Sequence, residues 1–198
     1  MLTYYNQSDT VVVVLHEIYG INSHIRQVGD TLAQYGVDVM VPDLLGEVFA
    51  YEQEALAYEN FMSNIGFEAA YRQITEVLHM TRENYKKVSV LGYSIGATLA
   101  WRCSATGLCD SAIGFYGSRI RDYLEITPTC PVLLFFPEQE KAVEVDDVIT
   151  QVSKFANVQV EKLAGQHGFA DAFSPSYNQE SAKKAYKEML SFIGADFA

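Results

Sequence analysis

Basic residues are scarce in this sequence, which has 14 lysines and arginines against 25 aspartates and glutamates and a formal net charge of −11. Nucleic acids and anionic membrane surfaces attract proteins through a positive surface, so we expect neither to be a partner. No segment approaches the roughly 18 consecutive apolar residues of a membrane span, and residues 1–10 lack the basic and apolar parts of a signal peptide.

Cysteines are also few. The chain has three, Cys103, Cys109 and Cys130, an odd number without the paired spacing of a metal site. We therefore expect reduced thiols in a cytoplasmic protein, with no bound metal. Repeats, low-complexity tracts and linkers are absent from the sequence, and 49% of the residues are hydrophobic. That composition is ordinary for a globular protein and predicts one domain over residues 1–198.

Short apolar runs alternate with helical stretches along the chain. Residues 11–15 form a continuous apolar, mostly β-branched run, as expected of a strand covered on both faces. The predicted strands are residues 11–15, 37–41, 88–91, 111–116, 132–136 and 158–163. The predicted helices are residues 24–35, 51–82 with a break near 63–66, 95–106, 145–155 and 179–193. This alternation predicts an α/β fold with a mainly parallel sheet and helices on both faces.

The segment Gly92-Tyr93-Ser94-Ile95-Gly96 lies between a predicted strand and a predicted helix. A serine on such a sharp turn is exposed at the end of the strand, and the flanking glycines let strand and helix approach closely. Chance spacing alone produces this pattern in on the order of one chain in twenty. The strand before it and the helix after it therefore carry the prediction that Ser94 is a nucleophile.

A serine hydroxyl needs a base that removes its proton near neutral pH. The sequence has four histidines. His167 lies in a glycine-flanked loop between the last predicted strand and the last helix, where the base of an α/β-hydrolase is found. The others occupy a strand end (His16), a helix start (His24) and a helix interior (His79), which favours His167 as the base and leaves a structural role as the alternative.

The acid that orients the histidine should follow the strand 132–136, because the chain order in such enzymes is serine, acid, histidine. Glu140 is the preferred residue, and Glu138, Asp146 and Asp147 compete with it. Surface acids are common in so acidic a chain, so position alone does not decide among them.

Developing negative charge on the substrate oxygen needs preorganised donors. The expected pair is the amide of Ile95, one residue past the nucleophile, and the amide of Ile18, in the loop after the first strand.

With these residues placed, the sequence resembles the dienelactone hydrolase family, a compact branch of the α/β-hydrolases. The resemblance runs nearly end to end, through residues 13–22, 41–44, the nucleophile turn, and His167-Gly168-Phe169 with Tyr177. It implies an α/β-hydrolase fold without a large lid, and a carboxylic ester hydrolase that uses neither metal nor organic cofactor.

The resemblance also carries over residue by residue. The nucleophile position, a cysteine or a serine in the family, matches Ser94, and the histidine matches His167. The acid position, usually aspartate, matches Glu140. Glu17 matches the glutamate that interacts with the resting thiol in cysteine members. A serine does not need that ion pair, so the expected role of Glu17 is to orient the loop or the substrate.

Two departures from the family bear on the substrate. Members that hydrolyse dienelactone hold its carboxylate with arginines, and one of these positions, four residues after the histidine, is Asp171 here. The other arginine belongs to a segment where this chain has no lysine or arginine between Asp43 and Arg72. Reversed charge beside a bound carboxylate costs at least on the order of 1 kcal/mol. We therefore expect a neutral or cationic ester, thioester or lactone.

Aromatic side chains are candidates for the substrate pocket. Tyr19, Tyr93 and Phe169 are the expected contacts, and Phe49 and Tyr58 are weaker candidates. The expected partner is a small-molecule substrate, and the chain is expected to be a monomer or a dimer. Two alternatives share the fold: a binding protein that has lost activity, and an acyltransferase that uses the same residues with another acceptor than water.

Overall fold

A sheet of seven strands, with helices on both faces, organises the part of the chain that this computed structural model describes, residues 1–140 and 144–194. The strands are β1 (Leu2–Tyr4), β2 (Thr10–Leu15), β3 (Asp38–Val41), β4 (Lys87–Tyr93), β5 (Ser111–Phe115), β6 (Val132–Gln139) and β7 (Val158–Gln166). The helices are α1 (Ser23–Gln34), α2 (Glu54–Asn60), α3 (Gly66–Asn84), α4 (Ile95–Cys103), α5 (Val145–Val152) and α6 (Gln179–Ile193). Shorter turns are 3-10 helical at Tyr51–Gln53 and Ser118–Tyr123 and π-helical at Phe61–Ile65.

The strand order is β1-β3-β2-β4-β5-β6-β7. Only the pairing of β1 with β3 is antiparallel within these ranges, and the other neighbouring strands run parallel. The predicted α/β fold with a mainly parallel sheet is confirmed, and no large lid is inserted in the described part of the chain. Because parallel strands end at the same edge, the loops after β2, β4, β5, β6 and β7 come together there.

Strand β2 shows why both faces of the sheet are covered. Val11, Val13 and Leu15 join a core with apolar residues of α2 to α5. Val12 and Val14 join a second core with residues of α1 and α6. Successive side chains of a strand point to opposite faces, so a run of apolar residues buries both.

Strand β1 was not predicted, because a three-residue segment with partly exposed side chains has no clear periodicity. Its position depends on a distant contact. The Asn6 side chain donates to the backbone carbonyls of Ala33 and Val37, both at 2.9 Å. The backbone N–H of Asn6 donates to the Asp38 carboxylate. These bonds hold the start of the chain beside β3.

Other boundaries follow local chemistry. The break predicted near 63–66 is confirmed, because the π-helical turn ends at Gly66, whose φ of +70° favours glycine. Helix α4 ends at Cys103, earlier than predicted. The hydroxyl of Ser104 donates to the Trp101 carbonyl and that of Thr106 to the Cys103 carbonyl, which replaces further helical bonds. None of the helices in the described ranges has the length and apolar character needed to cross a membrane.

Candidate active site

Ser94 lies on a strained turn between β4 and α4. Its φ of +54° and ψ of −112° are unusual for a residue other than glycine, and its amide donates to the Phe115 carbonyl on the neighbouring strand. The flanking glycines are required by close packing. A Cβ on Gly92 would lie 2.0 Å from the Gly96 carbonyl oxygen, and a Cβ on Gly96 would lie 2.2 Å from that of Leu15. This is the geometry that exposes a nucleophile above a sheet.

Three polar side chains from the ends of β4, β6 and β7 form one hydrogen-bonded line. The Nε2 atom of His167 lies 2.9 Å from the Ser94 Oγ, and its Nδ1 lies 2.6 Å from Glu140 Oε2. The Glu140 side chain is only 6% exposed, whereas His167 is 38% exposed toward the cavity described below. The competing acids Glu138, Asp146 and Asp147 are exposed, and Asp146 pairs with Lys162. Of the acids considered from the sequence, Glu140 is the one in contact with the imidazole.

The environment of His167 favours its protonated form. Burial alone would lower the pKa of His167, but the hydrogen bond and the negative charge of Glu140, with smaller effects of Glu17 and Glu54, raise that pKa above its ordinary value. A more basic imidazole accepts the serine proton more readily and stabilises the imidazolium that results.

Ile18 and Ile95, the two residues whose amides are expected to bind the oxyanion, both line the cavity beside Ser94. Ile95 is the first residue of α4. The His16 side chain holds the loop that carries Ile18. Its Nδ1 lies 2.6 Å from the Glu17 carbonyl oxygen, and its Nε2 accepts a hydrogen bond from the Leu44 amide at 3.0 Å. Burial lowers the pKa of His16, so its ring is neutral and serves as a structural link between two loops.

Glu17 is buried and its carboxylate accepts a hydrogen bond from the Tyr116 hydroxyl at 2.8 Å. Burial, followed by the charge of Asp171, raises the pKa of Glu17 to about 7, against the opposing effects of His167 and Tyr116. Tyr116 itself has a φ of +45° and its ring centroid lies 4.9 Å from that of His167. The sequence offered no signal for Tyr116 beyond its place at the end of a predicted strand.

A cavity of about 750 Å³ opens above these residues. Tyr19, Tyr51 and Tyr58 contribute aromatic surface to its wall. Tyr19 therefore lies where a substrate contact was expected, and Glu17 also lines the cavity although it is 4% exposed.

The lining includes basic residues that sequence reasoning missed, Arg119 and Arg121 after β5 and Lys162 on β7. The two arginines follow a predicted strand at its carboxyl end, which is the signal that could have found them. Each is already paired: Arg119 and Arg121 lie 3.0 and 3.6 Å from Asp122, and Lys162 lies 2.6 Å from Asp146.

The prediction that Tyr93 and Phe169 contact the substrate is not supported by their positions. Both side chains are 0% exposed and neither lines the cavity. Tyr93 stacks on Phe115 with 4.8 Å between ring centroids, and Phe169 packs against Tyr116. The reason is the alternation along β4: Tyr93 points to the same face as Leu91, into the core beneath the site. Of the weaker candidates, Tyr58 lines the cavity and Phe49 is buried away from it.

Comparisons with known proteins agree with this architecture. A model of the dienelactone hydrolase family matches residues 2–197. The uncharacterized protein YczH of Bacillus subtilis (strain 168) is 36% identical over 173 residues, which is 85% of each chain. A carboxymethylenebutenolidase of Pseudomonas putida is 26% identical over 201 residues, covering 92% of this chain and 84% of the relative.

Solved structures show the same fold at low identity. A cold-adapted esterase from an Arctic intertidal metagenomic library superposes with a TM-score of 0.71 at 16% identity, over 94% of this chain and 82% of the esterase. Est1E from Butyrivibrio proteoclasticus superposes with a TM-score of 0.70 at 14% identity, over 98% and 95% of the two chains. The chain belongs to the dienelactone hydrolase family, and it is a carboxylic ester hydrolase with the α/β-hydrolase fold.

Proposed function

We propose that this chain is a serine hydrolase that cleaves a carboxylic ester, lactone or thioester through an acyl-enzyme. The observation that carries the proposal is the hydrogen-bonded line from Ser94 through His167 to Glu140, which opens onto the cavity. A serine, a base and an acid in this order are sufficient for acyl transfer without a metal or cofactor.

In the proposed mechanism, His167 removes the Ser94 proton as the oxygen attacks the carbonyl carbon. The negative charge that develops on the carbonyl oxygen is stabilised by the amides of Ile18 and Ile95. His167 then protonates the leaving group, and the acyl-enzyme remains. Water, deprotonated by the same histidine, attacks the acyl carbon and releases the acid. Glu140 holds the imidazole in the required tautomer and stabilises its cationic form.

We propose further that the substrate is neutral or cationic. Within the described ranges, seven carboxylates line the cavity against three basic side chains (Glu17, Glu54, Glu138, Glu140, Glu144, Asp146 and Asp171; Arg119, Arg121 and Lys162). Each of the three basic groups is paired with an aspartate. An anionic substrate would have to compete for these pairs in a negative field, at a cost on the order of 1 kcal/mol or more.

Ser94→Ala tests the nucleophile. The side chain is small and its removal leaves the fold unchanged, so turnover of p-nitrophenyl butyrate and labelling by a fluorophosphonate probe should both disappear. Probe labelling of the wild type separates an enzyme from an inactive binding protein, because only an activated serine reacts. Added alcohols or amines that collect the acyl group in place of water would show an acyltransferase. Labelling or turnover retained in Ser94→Ala would refute the assignment.

The substrate charge is tested with p-nitrophenyl esters of matched length, neutral (butyrate), anionic (succinate) and cationic (4-trimethylammonio-butyrate). We expect kcat/KM for the anionic ester to be at least about fivefold below that of the neutral ester, which corresponds to about 1 kcal/mol. Faster turnover of the anionic ester would contradict this part of the proposal.

We propose a cytoplasmic location and action on a small molecule as a monomer or dimer. The location is supported by the three cysteines, Cys103, Cys109 and Cys130, which are buried as free thiols.

A further inference from the structure

Asp171 lines the cavity, yet it is only 1% exposed. It lies four residues after His167, in the turn that leads toward α6. Its Oδ2 accepts a hydrogen bond from the Tyr51 hydroxyl at 2.5 Å, and its Oδ1 accepts one from the Phe173 amide at 2.8 Å. The carboxylate is therefore directed into the protein, where it connects the histidine loop to the 3-10 turn that begins at Tyr51, a residue of the cavity wall.

Asp171 also lies beside a buried histidine. Its Oδ1 lies 3.7 Å from the Nδ1 of His24, which is also buried. Burial lowers the pKa of His24 to about 4, despite the opposing effect of Asp171, so the ring is neutral at neutral pH and supplies no balancing charge. A buried carboxylate without a cation must be stabilised by hydrogen bonds. The Tyr51 hydroxyl is thus a main hydrogen-bond partner of the buried Asp171 side chain.

Tyr51 in turn contacts the loop after β2. Its ring packs edge-on against Tyr19, with 4.9 Å between centroids, and Tyr19 follows Ile18 directly. The Asn22 side-chain amide donates to the Tyr51 hydroxyl at 3.3 Å, and the Asn22 oxygen caps α1. One hydroxyl therefore joins the loop that carries the expected oxyanion donor to the loop that carries the histidine.

We propose that Asp171 is a positioning residue that holds Tyr51 and, through it, keeps the loop after β2 aligned with the His167 loop. The inference rests on the proposed serine-hydrolase function and adds to it. In this role Asp171 does not contact the substrate, and its charge is used inside the protein.

The proposal is tested with Tyr51→Phe, Asp171→Asn and the double variant. Tyr51→Phe removes the donor and should lower kcat/KM for p-nitrophenyl butyrate by about tenfold, the value of one hydrogen bond to a charged group. Because the bond aligns reacting groups, the loss should fall mainly on kcat. In the Asp171→Asn background the same change should cost much less, since the charged bond is already gone.

A matched control exists far from the site. The Tyr85 hydroxyl donates to the buried Asp38 at 2.8 Å, the same chemistry at the opposite end of the sheet. Tyr85→Phe should lower stability to urea, as Tyr51→Phe does, and leave the kinetic constants unchanged. Equal kinetic losses in these two variants, a Tyr51→Phe rate within twofold of wild type, or losses that multiply in the double variant would each overturn the proposal.

Failure of the proposed function would look different. If the wild type is neither labelled by the fluorophosphonate nor active on any ester, the hydrolase assignment fails and the rate comparisons do not apply. Urea unfolding then still tests whether Tyr51 and Asp171 interact. If the stability loss of the double variant equals the sum of the losses in Tyr51→Phe and Asp171→Asn, the two groups are not coupled.

Discussion

Replacing Glu140 with glutamine removes a charge from the proposed triad while keeping the size of the side chain. The carboxylate lies 2.6 Å from the His167 Nδ1 and is 6% exposed, so water screens the pair poorly. In the proposed mechanism His167 becomes a cation in the transition state, and Glu140→Gln removes the anion that stabilises it. The glutamine can also donate through its amide group, which favours the wrong imidazole tautomer.

The size of the effect follows from the geometry. Two unit charges with centres about 4 Å apart, at an effective dielectric constant near 20, attract by about 4 kcal/mol. That energy corresponds to roughly a thousandfold loss of kcat/KM. The tautomer effect also lowers activity, so we expect kcat/KM to fall by at least about a thousandfold.

The pH dependence of kcat/KM is a second, independent test of Glu140→Gln. The proposed mechanism needs neutral His167 in the free enzyme, and Glu140 is the main reason that the pKa of His167 is raised although burial acts to lower it. Without that charge the pKa falls, so the acid limb of kcat/KM should move to lower pH while the maximum drops. Initial rates with p-nitrophenyl butyrate between pH 5 and 9 measure both effects.

Asp147→Asn is the matched control, because this acid also follows β6 but is exposed and does not line the cavity. It should change kcat/KM by less than about twofold, as expected of a solvated charge. The reasoning would be refuted if the two variants lost similar activity, or if the acid limb of Glu140→Gln moved upward.

Two further predictions concern stability. The pKa of Glu17 is raised from 4.5 to about 7, so its contribution to stability is full below about pH 4.5 and is lost as the pH rises through 7. Glu17→Gln, which cannot ionise, should match wild type near pH 4.5 and exceed it by up to about 3 kcal/mol above pH 8 in urea unfolding; equal stability at both pH values would contradict the buried charge. Gly96→Ala places a Cβ 2.2 Å from the Leu15 carbonyl oxygen and should cost more than about 3 kcal/mol or prevent folding. Gly107→Ala, at φ +70° with no atom within 4 Å, should cost about 1–2 kcal/mol, and similar losses in both variants would argue against the close approach.

Much of the fold was predictable because its central parallel strands are buried on both faces. A run such as residues 11–15 has no polar residue to face water, and helices must cover it. The helix break near Gly66 was predictable for a local reason as well, since its positive φ favours glycine. Strand β1 was not, because the side chain of Asn6 holds it in place through residues about 30 positions away.

The candidate site divides in the same way. The chain order of Ser94, Glu140 and His167, each after a strand, allowed their meeting to be predicted, because parallel strands end at one edge. The direction of a side chain was harder to predict: Tyr93 is next to Ser94 in sequence, yet strand alternation turns its side chain into the core.

By itself, the sequence determined the alternation of strands and helices, the turn at Ser94 and the excess of acidic residues, since each depends on neighbouring residues or on composition. Only the tertiary structure decided which charges face the cavity and which are balanced elsewhere. Lys162 lines it but is paired with Asp146, 16 residues earlier in the chain, and Asp171 lines it but is directed inward to Tyr51. Pairing of this kind depends on distances between segments far apart in the chain, and a linear sequence does not contain those distances.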